Sequence, residues 1–154
     1  MVRRAKHPSP VAESQIASYA RVLESRDPAD DHPWPGNRRP IEALQGLASL
    51  WPRMPAEMRA RWHDRLFGLA LAYLDARDAW LGGEAVRTAE AIGGQDAVPA
   101  LARLLDADPL PRYPRTFEER GSEARFRNAV RALGRLGPDP VRDRLLALLR
   151  CGGP

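Results

Sequence analysis

Fifteen prolines interrupt this 154-residue chain, and their placement limits what it can fold into. They fall at 8 and 10, between 28 and 40, at 52 and 55, at 99, between 109 and 114, at 138 and 140, and at 154. Proline fixes φ and has no N–H to donate, so it is excluded from helix interiors and tolerated in a first turn. The regular elements must therefore lie in the windows between the clumps.

Tested for period, those windows read as helices. The first is predicted from Pro10 to about Arg26, with Ser9 as N-cap and Ile16, Tyr19, Ala20 and Leu23 on one face. The second is expected from Pro40 to Trp51, carrying Ile41, Leu44, Leu47, Ala48 and Trp51 on one side. The third starts at Pro55 and buries Met58, Trp62, Leu66, Leu69, Ala70 and Tyr73. A fourth occupies about Asp78 to Ile92, its start blurred by Gly82-Gly83 and its end closed by Gly93-Gly94. A fifth spans Asp96 to Asp106, a sixth Ser122 to about Leu136, and a seventh Asp139 to Arg150. No window alternates with period two. The expectation is an all-α chain of seven helices, joined mostly by short turns that make neighbours antiparallel.

Composition narrows the class. No apolar stretch approaches the ~18 residues of a bilayer span, and the basic start runs into Val11-Ala12-Glu13-Ser14-Gln15 in place of a secretory apolar run. Cys151 is the single cysteine, so no internal disulfide can form and no thiolate pair exists for structural zinc. The protein is expected to be cytoplasmic, with a basic tail over 1–8, one domain over 9–150 and a short tail over 151–154. Net charge is +4, and Lys6 is the only lysine among 24 basic residues. The first ten residues contribute +3 through Arg3, Arg4 and Lys6, and residues 122–154 contribute +4, which leaves an acidic middle. Charge separated in this way favours oriented encounter over uniform coating of nucleic acid.

Two passages repeat. Val86-Arg87-Thr88-Ala89-Glu90-Ala91-Ile92-Gly93 aligns with Arg127-Asn128-Ala129-Val130-Arg131-Ala132-Leu133-Gly134, about 41 residues apart. Asp96-Ala97-Val98-Pro99-Ala100-Leu101 with Leu104-Leu105 then answers Asp139-Pro140-Val141 with Leu145, Leu148 and Leu149. In this pattern residues 84–150 resemble the HEAT-like repeat family, in the short variety found in phycobilisome lyase subunits. The resemblance implies a right-handed α-solenoid of about three HEAT-like helix pairs plus a C-terminal capping helix. Small Ala and Gly positions let paired helices approach, and leucine rows bury against the next pair. The first helix would pair with the second, the third with the fourth and the fifth with the sixth.

That pairing puts three connectors, Asp27 to Arg39, Asp75 to Asp78 and Ala107 to Gly121, on one edge. Two of them exceed the usual length and frame an aromatic with prolines, Pro33-Trp34-Pro35 and Pro111-Arg112-Tyr113-Pro114. Proline limits the entropy lost when such an aromatic is ordered, which suits a contact anchor; the alternative is that Trp34 and Tyr113 fold back onto their own helix pairs. The candidate partner-binding residues are His32, Trp34, Arg38, Arg39, Arg112, Tyr113, Arg115 and Phe117.

Other constellations point less far. Asp30-Asp31-His32 lacks the converging third and fourth ligands of a metal site, so neither metal nor cofactor is expected. His63 and Asp64 are sequence neighbours on a helix and should diverge. No serine stands in a nucleophile elbow, and no glycine pair forms a phosphate loop. Arg127, Arg131 and Arg135, with Arg142 beyond, recur on one helical face; they suit phosphates or an acidic protein face unless neighbouring carboxylates neutralise them. The favoured reading is a non-enzymatic protein-binding module, an adaptor, assembly factor or inhibitor, monomeric alone, whose partner presents an acidic face. The alternatives are a nucleic-acid-binding protein and, from the family resemblance, a subunit of a lyase-type complex. No membrane association is expected.

Overall fold

The structure, a computed structural model, describes residues 10–29, 38–106 and 116–137 together with Arg142 and Leu146. Among these residues there are six α-helices, three short 3-10 segments and no strand. The α-helices are α1 (Glu13–Glu24), α2 (Arg38–Leu50), α3 (Ala56–Leu74), α4 (Ala79–Gly93), α5 (Val98–Arg103) and α6 (Phe117–Leu136). Arg142 and Leu146 are helical, where a seventh helix is expected; most of that window lies outside the described residues.

Several boundaries differ from the sequence reading. Helix α1 begins at Glu13, after extended Ala12, because an acidic residue suits the first turn and its carboxylate is held from α3. Helix α2 begins two residues before Pro40, which sits within the first turn, where a missing N–H breaks no helical bond. The expected fifth helix is broken into 3-10 Gly94–Ala97, the single α-turn pair of α5 and 3-10 Leu104–Asp106. Helix α6 starts at Phe117 and not at Ser122. Thr116 accepts from the Glu119 N–H at 3.1 Å, and the Glu119 carboxylate accepts from the Thr116 N–H at 3.0 Å, so a capping box fixes the start upstream of Gly121. Gly137, with φ 65°, ends the helix in the left-handed conformation.

The helices form two rows. Helix α4 lies between α2 and α6, and α1 lies beside α3; across the rows α1 packs on α2 and α3 on α4, while α5 packs on α6. All three expected pairs are therefore in contact. One apolar cluster joins the six helices, from Ile16, Ala20 and Leu23 of α1 through Leu44, Leu66 and Val86 to Ala129 and Leu133 of α6. Helix α4 is buried on nearly every side, including Gly82 and Gly83, which the sequence reading took for a blurred start. Their missing side chains admit α6: a Cβ on Gly82 would lie 2.7 Å from Arg125 Cδ.

Polar bonds between elements set the register. Arg125 donates to the carbonyls of Ala76 and Leu74 at 3.1 and 3.4 Å, closing the end of α3. Burial in that junction pushes its guanidinium below the ordinary arginine value. Asn128 donates to the Gly83 carbonyl at 3.1 Å, and the Thr88 hydroxyl lies 3.0 Å from the Leu44 carbonyl of α2. No side-chain polar atom buried among the described residues lacks a partner.

Candidate functional site

Three helix starts converge at one edge. Asp78 is the N-cap of α4, its carboxylate accepting from the Trp80 N–H at 2.9 Å. The capping box sets Phe117 in the first turn of α6, and Arg38 opens α2. With Ile41, Glu42, Gln45, Trp80 and Glu84, these residues line a cavity of about 430 Å³. The α3–α4 turn also holds the beginning of the first long connector, since the Arg77 N–H donates to the Pro28 carbonyl at 3.3 Å. The described start of the first long connector thus meets this turn, and Phe117, just after the second, packs on Trp80 in the helix that follows the turn.

Two of the lining residues are aromatic. Trp80 and Phe117 lie with ring centroids 5.5 Å apart and planes tilted by 39°. Both face solvent, at 37% and 54% exposure; Leu146 is the other large apolar side chain exposed among the described residues. Gly121 makes this approach of α6 to α4 feasible, because a Cβ there would lie 3.0 Å from the Trp80 ring. The rest of the lining, apart from Ile41, is polar or charged. Glu42 accepts from Arg38 at 2.8 Å, and Glu84 is ion-paired with Arg87 at 3.8 Å.

Of the expected partner-binding residues, Arg38 and Phe117 line this cavity. Arg39 is exposed in the first turn of α2. His32, Trp34, Arg112, Tyr113 and Arg115, like Asp30 and Asp31, lie outside the described residues. Sequence reasoning missed Trp80, Glu84 and Glu42. Trp80 stands two residues after the Asp78 cap and reads as helix interior; only the start of α6, five residues earlier than expected, shows that it has an aromatic neighbour.

The arginine stripe on α6 is largely matched by carboxylates. Arg135 makes a two-pronged contact with Glu90 of α4 at 2.6 and 2.7 Å, which raises its pKa further, and Arg127 bonds Glu123 one turn earlier. Arg131 is exposed between them, and Arg142 is exposed farther along the chain. At the opposite side of the molecule, Glu13 accepts from Trp62 and Arg61, and Glu24 from Arg65, whose guanidinium also lies over the Trp62 ring at 5.0 Å. These contacts tie α1 to α3. His63 and Asp64, expected to diverge, approach to 2.9 Å by side-chain rotation on an open face; the imidazole is flanked by the rings of Trp51 and Phe67. Asp64 is fully exposed, so the contact encloses no site for a substrate. Among the described residues no group of three or more His, Cys, Asp or Glu is arranged to hold a metal ion, and no helix is long and apolar enough to cross a membrane.

Residues 127–151 match the family model described as PBS lyase HEAT-like repeat. The matched segment takes in the second half of α6 and the second copy of the internal repeat. No curated protein and no solved structure matches the chain.

Proposed function

We propose that this chain is a non-enzymatic protein-binding module in which HEAT-like helix pairs stack as a short right-handed solenoid and the edge bearing the connectors receives the partner. Repeats of this kind generally serve as protein-binding surfaces. The observation that carries the reading is the exposed Trp80–Phe117 pair, set beside the α3–α4 turn to which the start of the first long connector is bonded. Apolar side chains held in solvent by helix starts, inside a concavity, are what a docking surface requires and what a self-contained fold avoids. Trp34 and Tyr113 are further contact residues in this reading, and the chain acts as an adaptor, assembly factor or inhibitor in the cytoplasm.

The test is affinity capture with three forms of the protein: intact, Trp80→Ala with Phe117→Ala, and residues 107–115 replaced by a glycine-serine segment of equal length. Replacement stops at 115 because Thr116 caps α6. The expected result is a partner protein retained by the intact chain and lost by both variants, with helical content by circular dichroism unchanged. Retention of the same proteins by all three forms would overturn the reading.

A further inference from the structure

The seam between α4 and α6 carries a cation that the fold leaves without a counter-charge. We infer that this cation, Arg131, with Arg87 across the seam, receives an aspartate or glutamate side chain of the partner protein. This rests on the protein-binding reading and adds to it a contact of stated charge beyond the Trp80–Phe117 pair.

Helices α4 and α6 run parallel, since Trp80 meets Phe117, Gly83 meets Asn128 and Glu90 meets Arg135 in the same order along both. Gly83, Arg87 and Glu90 stand at i, i+4 and i+7, one stripe of α4; Asn128, Arg131 and Arg135 stand at i, i+3 and i+7, one stripe of α6. The bonds from Asn128 to Gly83 and from Arg135 to Glu90 therefore bracket Arg87 and Arg131 at one level of the seam. Both are exposed, which puts them on its open side.

The charges at this level can be matched one by one. Glu90 takes both prongs of Arg135, at 2.6 and 2.7 Å, and Glu123 is held by Arg127. Glu84 is ion-paired with Arg87 at 3.8 Å, too far for a hydrogen bond, so the Arg87 N–H groups stay open to a further acceptor. Arg131 has neither a hydrogen bond nor an ion pair among the described residues. A carboxylate landing between Arg87 and Arg131 relieves their mutual repulsion and can accept from both guanidinium groups. That suits one acidic side chain. A nucleic acid needs a row of such cations, and the neighbours Arg127 and Arg135 are already engaged. Arg87 also follows Trp80 by seven residues on the exposed side of α4, about 10 Å along the helix and so inside the footprint of one partner.

The test uses the full chain labelled with nitrogen-15. Two capped peptides are titrated, Gly-Glu-Leu-Glu-Leu-Gly and its counterpart with glutamine in place of glutamate. The Arg87 and Arg131 side-chain Nε–H signals are assigned by their loss in Arg87→Gln and Arg131→Gln. The glutamate peptide is expected to shift both signals and to bind at least about threefold more tightly than the glutamine peptide, with the gap closing as salt rises. Arg131→Gln should remove that preference, whereas Arg21→Gln, at an exposed position of α1, should leave it intact. Equal binding of the two peptides would overturn the inference, as would shifts that leave Arg131 unmoved. Tighter binding of a generic DNA duplex, lost in Arg131→Gln, would assign the site to phosphate and overturn it equally; so would movement of the Arg131 signal on dilution of the protein alone, which would assign it to a second copy. If Arg131→Gln disturbs the fold, the comparison of the peptides on the unaltered chain decides. In the capture experiment, loss of the partner by Trp80→Ala with Phe117→Ala but not by Arg87→Gln with Arg131→Gln would sink this inference alone; retention by every form would sink the protein-binding reading.

Discussion

The hydroxyl of Tyr73, near the end of α3, donates to the carbonyl of Leu23 in the last turn of α1 at 2.7 Å, inside the core. That carbonyl is one of the four that a helix end leaves without an internal partner, and a helix as short as α1 depends on such contacts. Tyr73→Phe keeps the ring and orphans the acceptor. It should cost about 1–3 kcal/mol and lower Tm by several degrees, measurable by thermal and urea denaturation. Burial also raises the Tyr73 pKa above 10.0, so the native state holds this proton more tightly than the unfolded chain does. The associated stability is complete below pH 10 and declines as pH climbs past it. The phenylalanine variant should lose that alkaline slope.

At the acid end the sign reverses. Glu13 is held below its ordinary 4.5 by hydrogen bonds from Trp62 and then Arg61, and Glu24 by its bonds with Arg65. A lowered carboxylate contributes stability above pH 4.5 and loses it as pH falls through the folded-state value. Urea midpoints followed from pH 6 to pH 3 should therefore drop more steeply for the unaltered chain than for Glu13→Gln combined with Glu24→Gln. Parallel curves would show that these exposed contacts contribute nothing to the attachment of α1.

Thr116→Ala removes half of the capping box that starts α6. The expected cost is about 1 kcal/mol, with faster hydrogen exchange confined to the amides from Phe117 to Arg120. Because Phe117 belongs to that first turn, the Trp80 environment should change as well, which tryptophan fluorescence compared with a Trp80→Phe control would detect.

Gly82→Ala tests the junction of α3, α4 and α6. Alanine favours a helix by about 1 kcal/mol over glycine, but its Cβ would lie 2.7 Å from Arg125 Cδ and 3.0 Å from the Leu74 carbonyl oxygen. Displacing Arg125 frees the two carbonyls that it covers, so net destabilisation of about 1–2 kcal/mol is expected. A rise in Tm would show that the junction yields.

Proline placement and apolar period made much of this legible in the sequence. Ile16, Ala20 and Leu23 bury as the period requires, and the repeat pairs Thr88 with Ala129 and Ile92 with Leu133, all four of which are buried. What escaped the sequence was decided by neighbours distant along the chain. Gly121 resembles a break because its reason, the Trp80 ring, is some forty residues away. Arg135 looks available to a phosphate because Glu90 is 45 residues earlier. The cavity lining had its own difficulty: Glu42, Trp80 and Glu84 come from separate turns, so no local window shows them together, whereas Arg38 and Arg39 are adjacent and conspicuous. The site was half legible, since Arg38 and Phe117 were candidates and do line the cavity.

Nine of the fifteen positions in α4 are buried, both glycines included, with other helices on three sides. Such a rod has almost no flank on which a bulkier residue could be absorbed, so a saturation scan should find it the least permissive stretch of the chain. The cavity begins at its first turn. Substitutions can therefore accumulate at exposed Trp80 and Arg87, while the buried positions that aim the Trp80 ring stay fixed.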